Sequence, residues 1–295
     1  MTAPGTWTLG DRVVNRIGFG VMRLPQQGAA FDLDAAPRDR DSAIAVLRKA
    51  VELGVNHIDT AAFYFSRLRS ANELINHALA PYPDDLVIAT KVGPGRDPSG
   101  EWLPLATPAQ LRGQVEQNIR ELGVEHLDVV NLRLSGLDSI AEHFGAVATL
   151  REAGLIRHLG LSNARPAHLA EAQAIAPVVC VQNSYGLGHR AHQDDFVRTC
   201  GEQGVAYVPF FAIAGAGRES GRAGSERDEV LAIAAAHDVT PTQVRLAWAL
   251  HRGPHVLVIP GTGSPDHLID NVAAGSLALT PDDLAQLDAV HQRAD

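Results

Sequence analysis

Three polar residues stand where apolar runs end. Asp59 follows His57-Ile58, Lys91 closes the run Leu86-Val87-Ile88-Ala89-Thr90, and Tyr64 lies five residues past Asp59. Singly, each has a plain use. A carboxylate at a strand end caps the next helix, a lysine is solvated and a tyrosine packs. Together they suit proton delivery to an oxygen on which negative charge develops, as in carbonyl reduction. A phenol of ordinary pKa, about 10, releases its proton poorly at neutral pH. A neighbouring ammonium favours the phenolate, and a buried carboxylate fixes that ammonium and offsets its desolvation. Tyr64 would then be the acid, Lys91 its activator and Asp59 the anchor of Lys91.

Such a trio works only if the chain holds it rigidly. Eight short apolar runs, at 17–21, 56–59, 86–91, 127–133, 158–162, 178–182, 205–211 and 256–259, read as strands. Between them, stretches of helical period fall at 42–53, 70–80, 108–122, 139–153, 166–175, 193–202 and 227–251, the last broken at Val239-Thr240-Pro241. Alternation of this kind implies right-handed βαβ units and a parallel sheet. Continuously apolar strands fit a sheet covered on both faces, and eight of them close into a (β/α)8 barrel. An open doubly wound sheet would carry Gly-x-Gly-x-x-Gly after its first strand, and none stands there.

Gly54, Gly123, Gly154 and Gly204 each follow a helical stretch and precede an apolar residue, the pattern of a left-handed helix end. Residues 7–14 predict an N-terminal hairpin turning at Gly10-Asp11, placed to plug the barrel bottom. Residues 282–291 predict a final helix, and no linker interrupts residues 1–295, so they read as one barrel domain. Barrel active sites are built at the C-terminal ends of the strands. Asp59 and Lys91 fall there. So do two unusual loops, 28–41 with Arg38 and Arg40, and the glycine-rich 212–227, a candidate lid.

The bulk properties exclude several classes. The 295 residues carry a net charge of −9, which argues against nucleic acid as a partner. No window of about 18 uncharged apolar residues could span a membrane, and no basic segment followed by an apolar one opens the chain. Cys180 and Cys200 read as packed thiols, and none of the 13 histidines has the spacing of a metal site, so no metal is expected. The chain reads as cytoplasmic and, by default, monomeric.

His57-Ile58-Asp59-Thr60-Ala61 with Tyr64, followed by Ala89-Thr90-Lys91, resembles the signature of the aldo-keto reductases. Later segments agree in order: Gly160-Leu161-Ser162-Asn163, Val181-Gln182-Asn183, and Ile259-Pro260-Gly261-Thr262-Gly263-Ser264-Pro265 through Asn271. The resemblance implies hydride transfer from a nicotinamide cofactor to an aldehyde or ketone. It also implies roles for particular residues. Ser162, Asn163 and Gln182 would bond the nicotinamide carboxamide, and Phe210 would stack on its ring. Ala214 and Gly215 would lie near the pyrophosphate. Gly261, Thr262, Ser264 and His267 would meet the adenosine phosphate, and Asp270 and Asn271 would hold the adenine end.

The chain departs from that pattern twice. The fourth strand ends in Arg133 where the family has histidine, and the run Val130-Asn131-Leu132-Arg133 is similar to that of a bacterial subgroup. Period-two alternation turns Asn131 and Arg133 to the barrel interior, which makes Asn131 a candidate substrate residue. Arg133 has three readings: an electrophile for the carbonyl oxygen, a dock for an anionic substrate, or a structural partner of a nearby carboxylate. Second, NADPH-preferring members place Lys and Arg around the phosphate turn, where this chain has Gly261 and His267. NADPH is the expected cofactor, with NADH the alternative. Trp102 could wall the substrate pocket, and His189 to His192 could rim the cleft. The chain ends soon after its last predicted helix, which predicts an open pocket for small or mid-sized carbonyls, a pyridoxal-like aldehyde or a secondary-metabolite ketone among them. The competing functional reading is a cofactor-binding sensor with little turnover.

Overall fold

The computed structural model describes residues 5–189, 193–213 and 226–292. An antiparallel hairpin opens it, β1 (Thr6–Leu9) and β2 (Arg12–Asn15), turning at Gly10 with a φ of 68°. Among the described residues seven parallel strands follow in spatial order: β3 (Phe19–Gly20), β4 (His57–Asp59), β5 (Val87–Val92), β6 (Leu127–Arg133), β7 (Ile156–Ser162), β8 (Val178–Gln182) and β9 (Ala206–Tyr207). Among the described residues ten α-helices alternate with or follow them. They are α1 (Arg40–Glu52), α2 (Ala71–Leu79), α3 (Pro108–Leu122), α4 (Ala141–Glu152), α5 (Pro166–Gln173), α6 (Asp194–Glu202), α7 (Asp228–Ala236), α8 (Pro241–Leu250), α9 (Pro265–Ala273) and α10 (Pro281–Gln292). The expected α7/α8 break is present, with Thr240 capping α8 by accepting from the Gln243 amide.

The predicted eighth strand forms no ladder of its own. Its residues instead make isolated parallel bridges on both sides, Tyr207 to Val256 and Ile17 to Val258. Leu257 donates to the Tyr207 carbonyl at 2.9 Å, and Gly18 donates to the Val258 carbonyl at 2.8 Å. That closes the (β/α)8 barrel. The seventh strand is shorter than predicted because Pro209 has no N–H to extend pairing. Phe210 bridges Ser184 instead.

Two cores hold the barrel. A large one lies between strands and helices. A smaller one fills the barrel interior, where hairpin residues Leu9 and Val14 join Val87, Val129, Cys180, Ala206, Val208 and Leu257. The hairpin therefore plugs the bottom. Its turn is tied there by Asp11, whose Oδ1 lies 2.6 Å from His158 Nε2. All four predicted helix-ending glycines have positive φ, 68° at Gly123 among them, a conformation that costs glycine little.

His57, at the bottom of β4, is buried against Gly18, where a Cβ would fall 2.1 Å from Nε2. Burial pushes its imidazole down to about 4, with the Asn15 backbone carbonyl, an acceptor for the ring, opposing slightly. The folded chain thus refuses a proton that the unfolded chain accepts below about pH 6.5. Stability should be full above that value and fall as pH drops towards 4, by about 2 kcal/mol between pH 7 and pH 5. Urea unfolding at those two pH values measures it. His57→Leu should flatten this part of the curve, and an unchanged slope in that variant would remove His57 as its source.

Candidate active site

The C-terminal ends of β4 to β8 bring the sequence-marked polar residues to one mouth. Lys91 Nζ donates to Asp59 Oδ1 at 2.6 Å and to the Thr60 carbonyl at 2.9 Å. The two side chains are 2% and 6% exposed, so the pair is held out of water. Gln182 Nε2 donates to Asp59 Oδ2 at 2.6 Å. Both carboxylate oxygens are therefore engaged, as a buried charge requires.

A polar chain behind the strand ends fixes this geometry. Thr60 Oγ1 donates to Asn72 Oδ1 at 2.7 Å, Asn72 Nδ2 to Asn118 Oδ1 at 3.0 Å, and Thr90 Oγ1 to Asn118 Oδ1 at 2.6 Å. It stitches α2 and α3 to the residues beside Asp59 and Lys91. Sequence reasoning passed over Asn72 and Asn118. Their signal was an asparagine on the apolar face of each helix, where both prove fully buried.

Tyr64 sits in the β4–α2 loop, its amide donating to the Ala61 carbonyl at 3.0 Å. The Lys91 ammonium lies 4.9 Å from its ring centroid, and the Phe63 ring packs edge-on at 5.1 Å. Burial raises the phenol above its ordinary value, and this outweighs the opposing charge of Lys91, which Asp59 partly cancels. The direction is the reverse of the lowering expected from the sequence, because burial of the phenol outweighs the ammonium, whose effect Asp59 offsets only in part. Tyr64 keeps its proton at neutral pH.

Arg133 ends β6, is partly buried and faces the mouth. Its Nη1 donates to Ser162 Oγ at 3.3 Å, and its guanidinium lies 5.3 Å from the Phe210 ring centroid. Among the described residues no carboxylate pairs with it. Asn131 lies deeper, buried against Gly160 and accepting from the Cys180 thiol at 3.3 Å, and it does not line the cavity.

Asp59, Tyr64, Lys91, Arg133, Gln182, Phe210 and Trp102 share one cavity of about 320 Å³. Its outer wall is aromatic. Trp102 packs on Phe31 at 5.2 Å and on Phe63 at 5.5 Å between ring centroids. Arg96, which sequence reasoning missed, holds that wall together. It is 8% exposed and donates to the carbonyls of Phe31, Phe63, Phe65 and Gly100, joining three loops. No local pattern marks it, because its partners come from distant parts of the chain.

The cavity continues to the turn after the last barrel segment, where Ile259, Pro260 and Gly261 line it opposite Gly20 and Arg23. Thr262 Oγ1 accepts from the Ser264 amide at 3.1 Å, and Ser264 Oγ accepts from the His267 amide at 3.5 Å, capping α9. The His267 side chain is exposed, Asp270 is partly exposed and Asn271 is buried at 3%. Ser162 is buried beneath Arg133. Asn163 is exposed with a φ of 57°, its Nδ2 donating to the Leu134 carbonyl at 3.4 Å. None of these residues, from Thr262 to Asn163, lines the cavity itself. Ala214 and Gly215, much of the glycine-rich loop and residues 190–192 lie outside the described residues. Among the described residues no cluster of three or more His, Cys, Asp or Glu could hold a metal ion, and no helix is long and apolar enough to cross a membrane.

Comparison with known proteins matches this arrangement to one family. The profile of the Aldo/keto reductase family covers residues 16–292. A protein of Escherichia coli (strain K12) named pyridoxine 4-dehydrogenase is 44% identical over 292 residues, 97% of this chain and 98% of that one. An aldo/keto reductase from Klebsiella pneumoniae, solved with NADP and acetate, superposes with a TM-score of 0.80 at 28% identity, over 97% of this chain and 95% of that one. A further Klebsiella pneumoniae structure, with NADPH, gives 0.81 at 28% identity over the same shares. Closed barrel, strand-end polar residues and full-length similarity together make the chain a member of the aldo/keto reductase family of NAD(P)H-dependent oxidoreductases.

Proposed function

We propose that the chain reduces an aromatic aldehyde of the pyridoxal type, using NADPH, with Tyr64 as proton donor. The observation that carries the reading is the buried Lys91–Asp59 pair beside a protonated Tyr64 at the inner end of an aromatic-walled cavity. The substrate class draws on the similarity to a protein named pyridoxine 4-dehydrogenase. The rings of Phe31, Phe63 and Trp102 suit a flat heteroaromatic ring.

Two features fit a nicotinamide dinucleotide. Gln182 Oε1 is buried without a hydrogen-bond partner, an acceptor suited to a carboxamide N–H. At the other end, the backbones of Gly20 and Gly261 approach so closely that a Cβ on Gly261 would lie 2.5 Å from the Gly20 carbonyl oxygen, which leaves a smooth cradle. Phe210 would take the ring face, and the turn at 261–264 with its capped helix would take phosphate. When bound, the cofactor supplies the hydride.

The protein's own residues handle the proton and the charge. Tyr64 donates its phenolic proton to the carbonyl oxygen as negative charge develops there. Lys91 stabilises the phenolate left behind, and Asp59 and Gln182 hold Lys91 and each other in register. Arg133 supplies positive charge at the mouth, where the family's histidine would stand, and stabilises the developing oxyanion or an ionised hydroxyl on the substrate ring.

A second reading, a cofactor-binding sensor, draws on one observation. Arg133 rests on Phe210 and Ser162, two residues assigned by resemblance to the nicotinamide. Steady-state assays with NADPH and pyridoxal, beside a panel of aliphatic and aromatic aldehydes, separate the readings. Turnover favouring pyridoxal-like aldehydes is expected. Tight NADPH binding with no turnover on any member would favour the sensor.

A further inference from the structure

The phosphate turn carries no cation, and both of its glycines have a steric reason. At Gly261 a Cβ would meet the Gly20 carbonyl. At Gly263 a Cβ would lie 2.0 to 2.3 Å from three guanidinium atoms of Arg38. The turn therefore gives up side chains of its own, and at Gly263 the space goes to an arginine from the β3–α1 loop. Arg38 Nη1 donates to the Gly263 carbonyl at 3.3 Å and Nε to the Arg23 carbonyl at 3.4 Å. Arg23 in turn lines the cavity and donates to the Gly28 carbonyl at 2.6 Å.

Two like charges are thus held close at the phosphate end of the cavity. Arg38 is half-buried, and among the described residues no carboxylate pairs with it. Burial and the neighbouring charge of Arg23 both lower its pKa, so the positive form is under strain that an anion would relieve. The N-terminus of α9, capped by Ser264, adds positive potential beside it. A guanidinium suits a phosphate through paired, charge-assisted hydrogen bonds.

We propose that Arg38, backed by Arg23, is the specificity-determining cation for an adenosine 2′-phosphate, supplied from the β3–α1 loop to a turn that cannot carry one. This rests on the reading that the cavity receives a nicotinamide dinucleotide. The assignment makes Gly263 part of the device, since any side chain there would displace the guanidinium.

Calorimetric titration of the full chain with 2′,5′-ADP and with 5′-ADP, and with NADPH and NADH, tests it without reference to turnover. The wild type should favour each 2′-phosphorylated ligand. Arg38→Met should weaken 2′,5′-ADP and NADPH by about tenfold to a hundredfold while leaving 5′-ADP and NADH unchanged. Arg38→Lys should restore part of the preference. Gly263→Ala should weaken the same two ligands with the charge still present. A preference that survives Arg38→Met would overturn the proposal, as would equal loss for all four ligands, which would make Arg38 a structural strut. If the wild type binds neither dinucleotide nor fragment, the cofactor reading falls and takes this assignment with it.

Discussion

Tyr64→Phe should lower the rate of carbonyl reduction about a thousandfold while leaving NADPH binding unchanged. The substitution removes one oxygen and keeps the ring that packs against Phe63 at 5.1 Å and Phe31 at 6.0 Å between centroids. The loop should therefore hold its shape, and the loss would report the missing proton. General acid catalysis contributes about a hundredfold to ten-thousandfold, which sets the scale. The pH dependence follows from the same geometry. Burial raises the Tyr64 phenol, so the protonated form persists through neutral pH. The reduction rate in the wild type should stay level through neutral pH and fall only above the ordinary phenol value of about 10. Single-turnover kinetics across that range, with NADPH affinity from fluorescence titration, measure both. A loss under about tenfold in Tyr64→Phe would leave the donor elsewhere, with water the next candidate.

Asp59→Asn should cost about 3–5 kcal/mol of stability and most of the activity. Lys91 is 2% exposed, and the variant would leave its ammonium buried beside a neutral amide. An asparagine has one side-chain oxygen, so either Lys91 Nζ or Gln182 Nε2, which donate to the two carboxylate oxygens at 2.6 Å each, would lose its acceptor. The double variant Asp59→Leu with Lys91→Met should regain much of the lost stability, because a buried ion pair replaced by apolar groups of similar size is often neutral or better. It should remain inactive. Chemical denaturation of the wild type, Asp59→Asn and the double variant provides the comparison. An Asp59→Asn protein as stable as wild type would show that solvent reaches the Lys91 ammonium, and the pair would then lose its claim to hold charge for Tyr64.

The order and type of the elements could be read along the chain, since strand and helix are set by local periodicity and by caps. Asp59, Tyr64 and Lys91 were visible for the same reason: each is placed by the end of its own strand or the loop just after it. The eighth strand was legible as an apolar run but not as isolated bridges, because pairing depends on the two-residue neighbours β3 and β9. Thr262, Ser264 and Asn271 were legible as a capped turn and its helix. That Asn131 would sit below the cavity was not, since period-two alternation gives a residue's side of the sheet but not its depth.

By itself the sequence determined the barrel, its plugged bottom and the polar trio Asp59, Tyr64 and Lys91 at the mouth, because backbone sterics and hydrophobic spacing act between near neighbours. Only the tertiary structure decided how those groups are tuned. Gln182 reaches Asp59 across 123 residues, and Arg38 reaches Gly263 across 225. The Tyr64 phenol rises because burial outweighs the ammonium beside it, which its carboxylate offsets in part. Such effects depend on which loops meet and on how much water they exclude, and both are fixed only when the barrel closes.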